Sequence, residues 1–150
     1  ELERVQSIDA QETVYVERDR ALELFRVLKN DDALRFALLA ELTAVDYAPR
    51  EPRFELIYLL VSIEHRLRLR VKVRLAGGDA RMPTVVGLWP GANWLEREVW
   101  DLFGIRFAGH PDLRRLVMPE EFTAHPLRKD YPLQGRGERH NFPVITRDHS

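Results

Sequence analysis

The chain has 150 residues, 45% apolar and 31% charged, with 23 basic side chains against 24 acidic ones. That length suits one domain able to bury roughly 70% of its unfolded surface, and the charge balance gives no global pull toward nucleic acid or an anionic surface. The absence of cysteine excludes disulfides, thiolate metal sites, iron–sulfur ligation and cysteine nucleophiles within this chain.

"ETVYVERDRALELFRVLKND" predicts a short strand, Thr13 to Val16, then a helix from near Asp19. Ala21, Leu24, Phe25 and Leu28 fall at helical spacing and are expected to face the core. In "LRFALLAELTAVDY" helix and strand patterns compete, and the reading adopted is a turn leading into a strand near Leu42 to Tyr47. "RFELIYLLVSIE" is apolar on both sides from Leu56 to Val61, which suits a central strand covered on each face. "RLRLRVKVRL" alternates strictly and predicts a half-buried strand pairing back as a hairpin. Its outer stripe, Arg66, Arg68, Arg70, Lys72 and Arg74, reads either as an anion or nucleic-acid surface or as a solvated face paired with acids such as Glu55. The second reading is preferred, because no aromatic residue is expected over the stripe for base stacking.

"AGGDARMP" reads as a loop. In "TVVGLWPGANWLEREVWDLFG", Asn93 is the expected N-cap and Glu96 its capping-box partner. The helix then runs from Trp94 to Phe103, with Gly104 as the C′ residue. Leu95, Val99 and Leu102 form its apolar stripe, while Glu96, Glu98 and Asp101 read as acids on a solvated face. Ile105 to Phe107 is short and extended.

The segment "HPDLRRLVMPEEFTAHPLRKDYPL", His110 to Leu133, is too polar for a core strand and too rich in proline for a helix. His110 and His125 are fifteen residues apart, and the following prolines push both toward extended backbone, so a helical zinc-ligand pair does not form. Nucleophilic catalysis lacks a Gly-x-Ser-x-Gly elbow, and no glycine-rich phosphate loop exists. The segment's own charges cancel. What remains is docking: a stiff arm that must satisfy its backbone against its own domain or against a partner. Arg114, Arg115 and Arg128 supply planar donors for carboxylates and carbonyls, and Phe122, Tyr131 and the tryptophan-rich helix supply aromatic anchors.

The run "EREVWDLFGIRFAGHPDLRRLV", followed by "HPLRKDYPL", resembles the signature of the 30 kDa subunit family of respiratory complex I, the C-type subunits of proton-translocating NADH–quinone oxidoreductase. Glu96, Arg97, Glu98, Asp101, Leu102, Phe103, His110, Arg114, Leu116 and Val117 occupy the pattern's positions. "LTAVDY", "RFELIYLLVS" and "LWPGANWLEREVWDLFG" are also similar to it. Ala124 departs from the glycine usual before the second His-Pro, and the tail is shorter than in many members, which implies an extension beyond residue 150.

The resemblance implies an α+β fold: a mixed sheet packed with helices over residues 1–109, including helix 94–103, then a proline-rich docking arm and irregular tail over 110–150. It implies a non-catalytic subunit with no cofactor or metal of its own, FMN and iron–sulfur clusters lying in partner subunits. The implied partners are the quinone-site large subunit, of the D type, and the iron–sulfur subunits, but no nucleic acid. The implied place is peripheral, on the cytoplasmic side of a bacterial plasma membrane, with membrane contact only through the complex. Expected partner-binding residues are Trp94, Glu96, Arg97, Glu98, Asp101, His110, Asp112, Arg114, Arg115, His125, Arg128, Lys129, Asp130 and Tyr131. Arg114, Arg115, Arg128 and Lys129 are to make charge-assisted contacts, with His110 and His125 hydrogen-bonding rather than ligating. Two alternatives stay open: the equivalent subunit of a membrane-bound hydrogenase or F420 or ferredoxin dehydrogenase, and an anion-binding or nucleic-acid-binding module using the 66–74 stripe.

Overall fold

A computed structural model describes residues 3–6 and 11–137. Its strands are β1 (Glu3–Gln6), β2 (Glu12–Tyr15), β3 (Leu38–Asp46), β4 (Phe54–Ser62), β5 (Leu67–Leu75), β6 (Arg81–Pro83) and β7 (Arg106–Ala108). The helices are α1 (Arg18–Asn30) and α2 (Ala92–Phe103). The first five strands form one mixed sheet in the order β1-β2-β5-β4-β3, in which β2 and β5 are parallel and the other pairs antiparallel. β6 and β7 pair in parallel, with α2 as the connection between them. The α+β architecture with a mixed sheet is the one the resemblance implies.

Alternation decides which side chains enter the core. Tyr58 on β4 pairs with Leu42 on β3 and Val71 on β5, and Leu56 pairs with Ala44 and Val73. All of these are buried, and the helices close over them. Phe25 of α1 lies 4.7 Å from the Tyr58 ring and 5.8 Å from Trp89. The Trp89 indole N–H donates to Phe36 O at 3.0 Å, tying the loop before α2 to the chain entering β3.

Several local expectations are corrected. β3 begins at Leu38 rather than Leu42, because a register shift between Leu39 and Glu41 lets the ladder continue past the irregularity. The stretch read as a loop before Pro83 contributes β6, which forms because β7 lies alongside it, a partner 25 residues away in sequence. Among the described residues β4 is covered on one face only: Leu56, Tyr58 and Leu60 are fully buried, whereas Ile57, Leu59 and Val61 on the opposite face are half-exposed.

The basic stripe on β5 pairs as the preferred reading expected, in that Lys72 Nζ meets buried Glu55 at 2.8 Å. Burial disfavours the Lys72 ammonium, and the Glu55 carboxylate outweighs that and raises its pKa. An aromatic residue does face the stripe, contrary to expectation. Tyr15 comes in on the parallel neighbour β2, with the Arg74 guanidinium 4.0 Å above its ring centre.

Candidate functional site

α2 and the segment after β7 hold one another through charged groups that the helix buries. The turn Trp89-Pro90-Gly91 is already helical in its hydrogen bonding, with Ala92 N–H donating to Trp89 O, so α2 starts before Asn93 and its cap is Gly91. The predicted capping box is therefore absent. Glu96 turns inward instead and accepts from the Thr84 hydroxyl at 2.6 Å and the Val85 N–H at 2.7 Å. It is fully buried, and desolvation raises its pKa to about 7 in spite of those two donors. Tyr58, whose hydroxyl is also buried and has no hydrogen-bond partner among the described residues, is pushed up by burial first and by Glu96 second.

Asp101 corrects the solvated-acid reading as well, since it is fully buried. Its Oδ2 accepts three successive backbone N–H groups, from Leu116 at 3.0 Å, Val117 at 2.7 Å and Met118 at 2.8 Å. Its Oδ1 pairs with Arg115 Nη1 at 2.5 Å. Burial works against this carboxylate, but the three amides and the guanidinium outweigh it and hold its pKa below the ordinary range. Glu98, the third acid, is exposed.

The same segment closes the C-terminal end of α2. The last carbonyls of a helix lack intrahelical partners. Here Gly104 N–H donates to Trp100 O, His125 Nδ1 to Asp101 O at 2.9 Å, and Leu127 N–H to Leu102 O at 3.0 Å. A carbonyl can only accept, so Nδ1 of His125 carries the proton. Burial lowers the His125 pKa, and the positive charges of Arg115 and Arg128 add to that. The second His-Pro pair, with Leu127 after it, is thus a helix cap.

Two further ties complete the arrangement. Arg97 on α2 donates to Arg114 O and Arg115 O at 3.1 and 2.9 Å. Asp46, at the end of β3, accepts the Lys129 N–H at 2.8 Å while gripped by both Nε and Nη2 of Arg53. The Arg53 hydrogen bonds hold the Asp46 pKa well below the usual carboxylate range against the cost of burial. His110 donates from Nε2 to Asn93 O and accepts at Nδ1 from the Asp112 N–H, 3.9 Å from Glu96. Up to residue 137 this segment has turns and bends but neither strand nor helix, and residues 138–150 of the predicted tail lie outside the described residues.

The residues singled out from the sequence therefore fall into three groups. Glu96, Arg97, Asp101, His110, Arg115 and His125 are engaged inside the chain. Arg128 is half-buried with its guanidinium 5.4 Å from the centre of the Phe54 ring, and Tyr131 lies 5.8 Å from Phe122. Trp94, Glu98, Asp112, Arg114, Lys129 and Asp130 are exposed. Exposed apolar side chains lie both on α2, at Trp94, and on the segment packed against it, at Leu116, Val117 and Leu127, whose backbone N–H groups bond to Asp101 or to Leu102 O. Sequence reasoning did not single out Asp46, Thr84 or Arg53. Among the described residues no cluster of three or more His, Asp or Glu is arranged to hold a metal ion, and no helix is long and apolar enough to cross a membrane.

The sequence comparisons agree on one family. Residues 14–137 match the family described as respiratory-chain NADH dehydrogenase, 30 kDa subunit. The C-type NADH-quinone oxidoreductase subunit of Roseiflexus sp. (strain RS-1) is 50% identical over 121 residues, covering 81% of this chain and 70% of its own. A C-type subunit of the same enzyme from Rhizobium meliloti (strain 1021) is 45% identical over 140 residues, covering 91% and 76%. Among solved structures, a trypsin-resistant fragment of Nqo5 superposes with a TM-score of 0.68 at 39% identity, over 75% of this chain and 89% of the fragment. A chain of the membrane-bound sulfane sulfur reductase, an archaeal respiratory membrane complex, gives 0.76 at 29% identity, over 97% and 85%.

Proposed function

The chain belongs to the respiratory-chain NADH dehydrogenase 30 kDa subunit family, and from that premise we propose that it is a non-catalytic subunit of the hydrophilic arm of a proton-translocating NADH–quinone oxidoreductase. It docks on the quinone-site large subunit and the iron–sulfur subunits, which carry the FMN and clusters, and reaches the cytoplasmic side of the bacterial plasma membrane only through them. Electron transfer belongs to the assembly.

One observation carries this reading. The segment from His110 to Leu133 is tied to the chain's own α2 and β3 through Arg97, Asp101 and Asp46, and so holds Leu116, Val117 and Leu127, like Trp94 on α2, as ordered exposed apolar side chains, with Arg114 and Lys129 also exposed. Fixing a surface in advance removes much of the ordering cost of association. The partner-binding residues are accordingly Trp94, Asp112, Arg114, Lys129 and Asp130 at the surface. Glu96, Arg97, Asp101, Arg115 and His125 hold that surface in shape.

The test is affinity isolation of the tagged chain from native membranes at low and physiological salt, with co-purifying proteins identified by mass. Recovery of the quinone-site subunit with NADH-oxidising partners supports the reading; nucleic acid alone, lost as salt rises, overturns it. The full-length likeness to a sulfane sulfur reductase chain favours a second reading, in which the same scaffold serves a related respiratory complex. The co-purifying large subunit separates the two.

A further inference from the structure

β4 reads in sequence as a strand buried on both faces, yet the described residues cover only one of them. On the open face Ile57, Leu59 and Val61 form a single apolar row. Its neighbours differ in kind. On β5 the outward positions opposite Val61, Leu59, Ile57 and Glu55 are Arg68, Arg70, Lys72 and Arg74. On β3 the positions opposite Leu59 and Ile57 are Glu41 and Thr43. The result is a shallow groove of about 290 Å³ with Ile57 and Leu59 as floor, Arg70 and Lys72 as one wall and Glu41 and Thr43 as the other.

We propose that this groove is a second interface, separate from the surface around Trp94, and that its occupant is an amphipathic helix of a neighbouring subunit, apolar along its centre and acidic on the flank above β5. Width argues for a helix. The walls stand two strand spacings apart, roughly 10 Å, which is the diameter of a helix with its side chains. A second sheet needs several adjacent apolar rows; here β4 carries one, β5 carries none, and β3 adds only Leu38 and Val45 at its two ends. Charge decides the flank: Lys72 is paired with Glu55 and Arg74 lies over Tyr15 and 3.9 Å from Glu3, yet four cations against those two carboxylates leave a positive surplus along β5 that favours an acidic flank on the occupant. Nucleic acid fits poorly: Glu41 stands on the facing wall, Glu55 is paired with Lys72, and the Tyr15 face is taken by Arg74. A helix laid here adds the missing layer to a sheet that is covered on one side.

The inference rests on the reading that the chain works within an assembly, and its test is independent of the Trp94 surface. A photo-cross-linking amino acid is placed at Leu59, and in a second preparation at Thr43, in the tagged full chain; the purified complex is irradiated and the joined peptides are sequenced. The expected product links Leu59 to a helical segment of another subunit with acidic residues within one turn. Arg68→Glu, at an exposed position, lowers the yield about fivefold and Arg68→Lys does not, as expected for a charge at an interface. An intact complex with no cross-link at either position overturns this interface and leaves the docking reading standing. Cross-links to a second copy of this chain, or to nucleic acid, overturn it as well.

Discussion

Gly104 and the His125 ring are packed so closely that a Cβ on the glycine would stand 2.7 Å from Cδ2 of the imidazole. Gly104 also sits at φ +77°, where side chains are strained. Gly104→Ala must therefore bend the end of α2 or expel His125 from its bond to Asp101 O. The expected loss is about 1–3 kcal/mol, read as a lower urea midpoint. Protease cleavage between residues 110 and 133 should increase with it. An unchanged midpoint would show that the cap is slack.

Asp101 is the larger dependency. Asp101→Asn leaves the Arg115 guanidinium, only 10% exposed, without its counter-charge and gives the three amides a weaker acceptor. Breaking a buried pair from one side costs on the order of 3–5 kcal/mol. Glu98→Gln, on the exposed side of the same helix, should change stability by less than about 0.5 kcal/mol. Parallel urea titrations of the two variants check the difference. Equal small effects would mean that the Leu116–Met118 turn holds without Asp101.

Nothing in the run of α2 separates these two acids. An acid on a helix looks the same in sequence whether water or a buried turn receives it, and the partners of Asp101 lie fourteen to seventeen residues downstream. Those of Glu96 lie in the Thr84–Val85 turn, which shows no periodicity. By contrast, Val71, Val73 and Leu75 were legible because a strand's period of two requires no knowledge of its neighbours. Tyr15 above Arg74 was not, since it depends on β2 joining β5 in parallel from a distant part of the chain. The segment from His110 to Leu133 was legible as proline-stiffened and needing satisfaction, while its use as the C-cap of α2 required the helix end in three dimensions.

The buried carboxylates predict opposite responses to pH. Glu96 titrates at about 7 when folded, above its unfolded value, so the native state holds the extra proton between roughly 4.5 and 7. Its stabilising contribution is complete below that window and is lost as pH rises through it, on the order of 3 kcal/mol. Asp46 and Asp101, both depressed, contribute above the ordinary carboxylate range and lose that contribution as acid protonates them. The chain should be most stable near about pH 5. His125, lowered by burial, opposes the Glu96 slope in both proteins compared and cancels between them. Urea titrations of wild type and Glu96→Gln from about pH 4 to 8 isolate the carboxyl: the difference should shift across the window, and a constant difference would remove Glu96 from the balance.

Two tryptophans only five residues apart should behave oppositely. Trp89 is buried against Phe25 and donates to Phe36 O, so Trp89→Ala should cost about 3–5 kcal/mol and impair folding itself. Trp94 is 59% exposed and touches its own chain chiefly through the Arg97 guanidinium, 4.9 Å from its ring centre. Losing an exposed cation–π contact costs about 0.5–1 kcal/mol. Trp94→Ala should therefore melt close to wild type. An exposed tryptophan on an ordered helix is the kind of side chain on which interfaces anchor. Recovery of partner subunits with tagged Trp94→Ala should fall at least about tenfold, the scale of a 1.4 kcal/mol loss. Full recovery with an unchanged melt would move the docking surface away from α2.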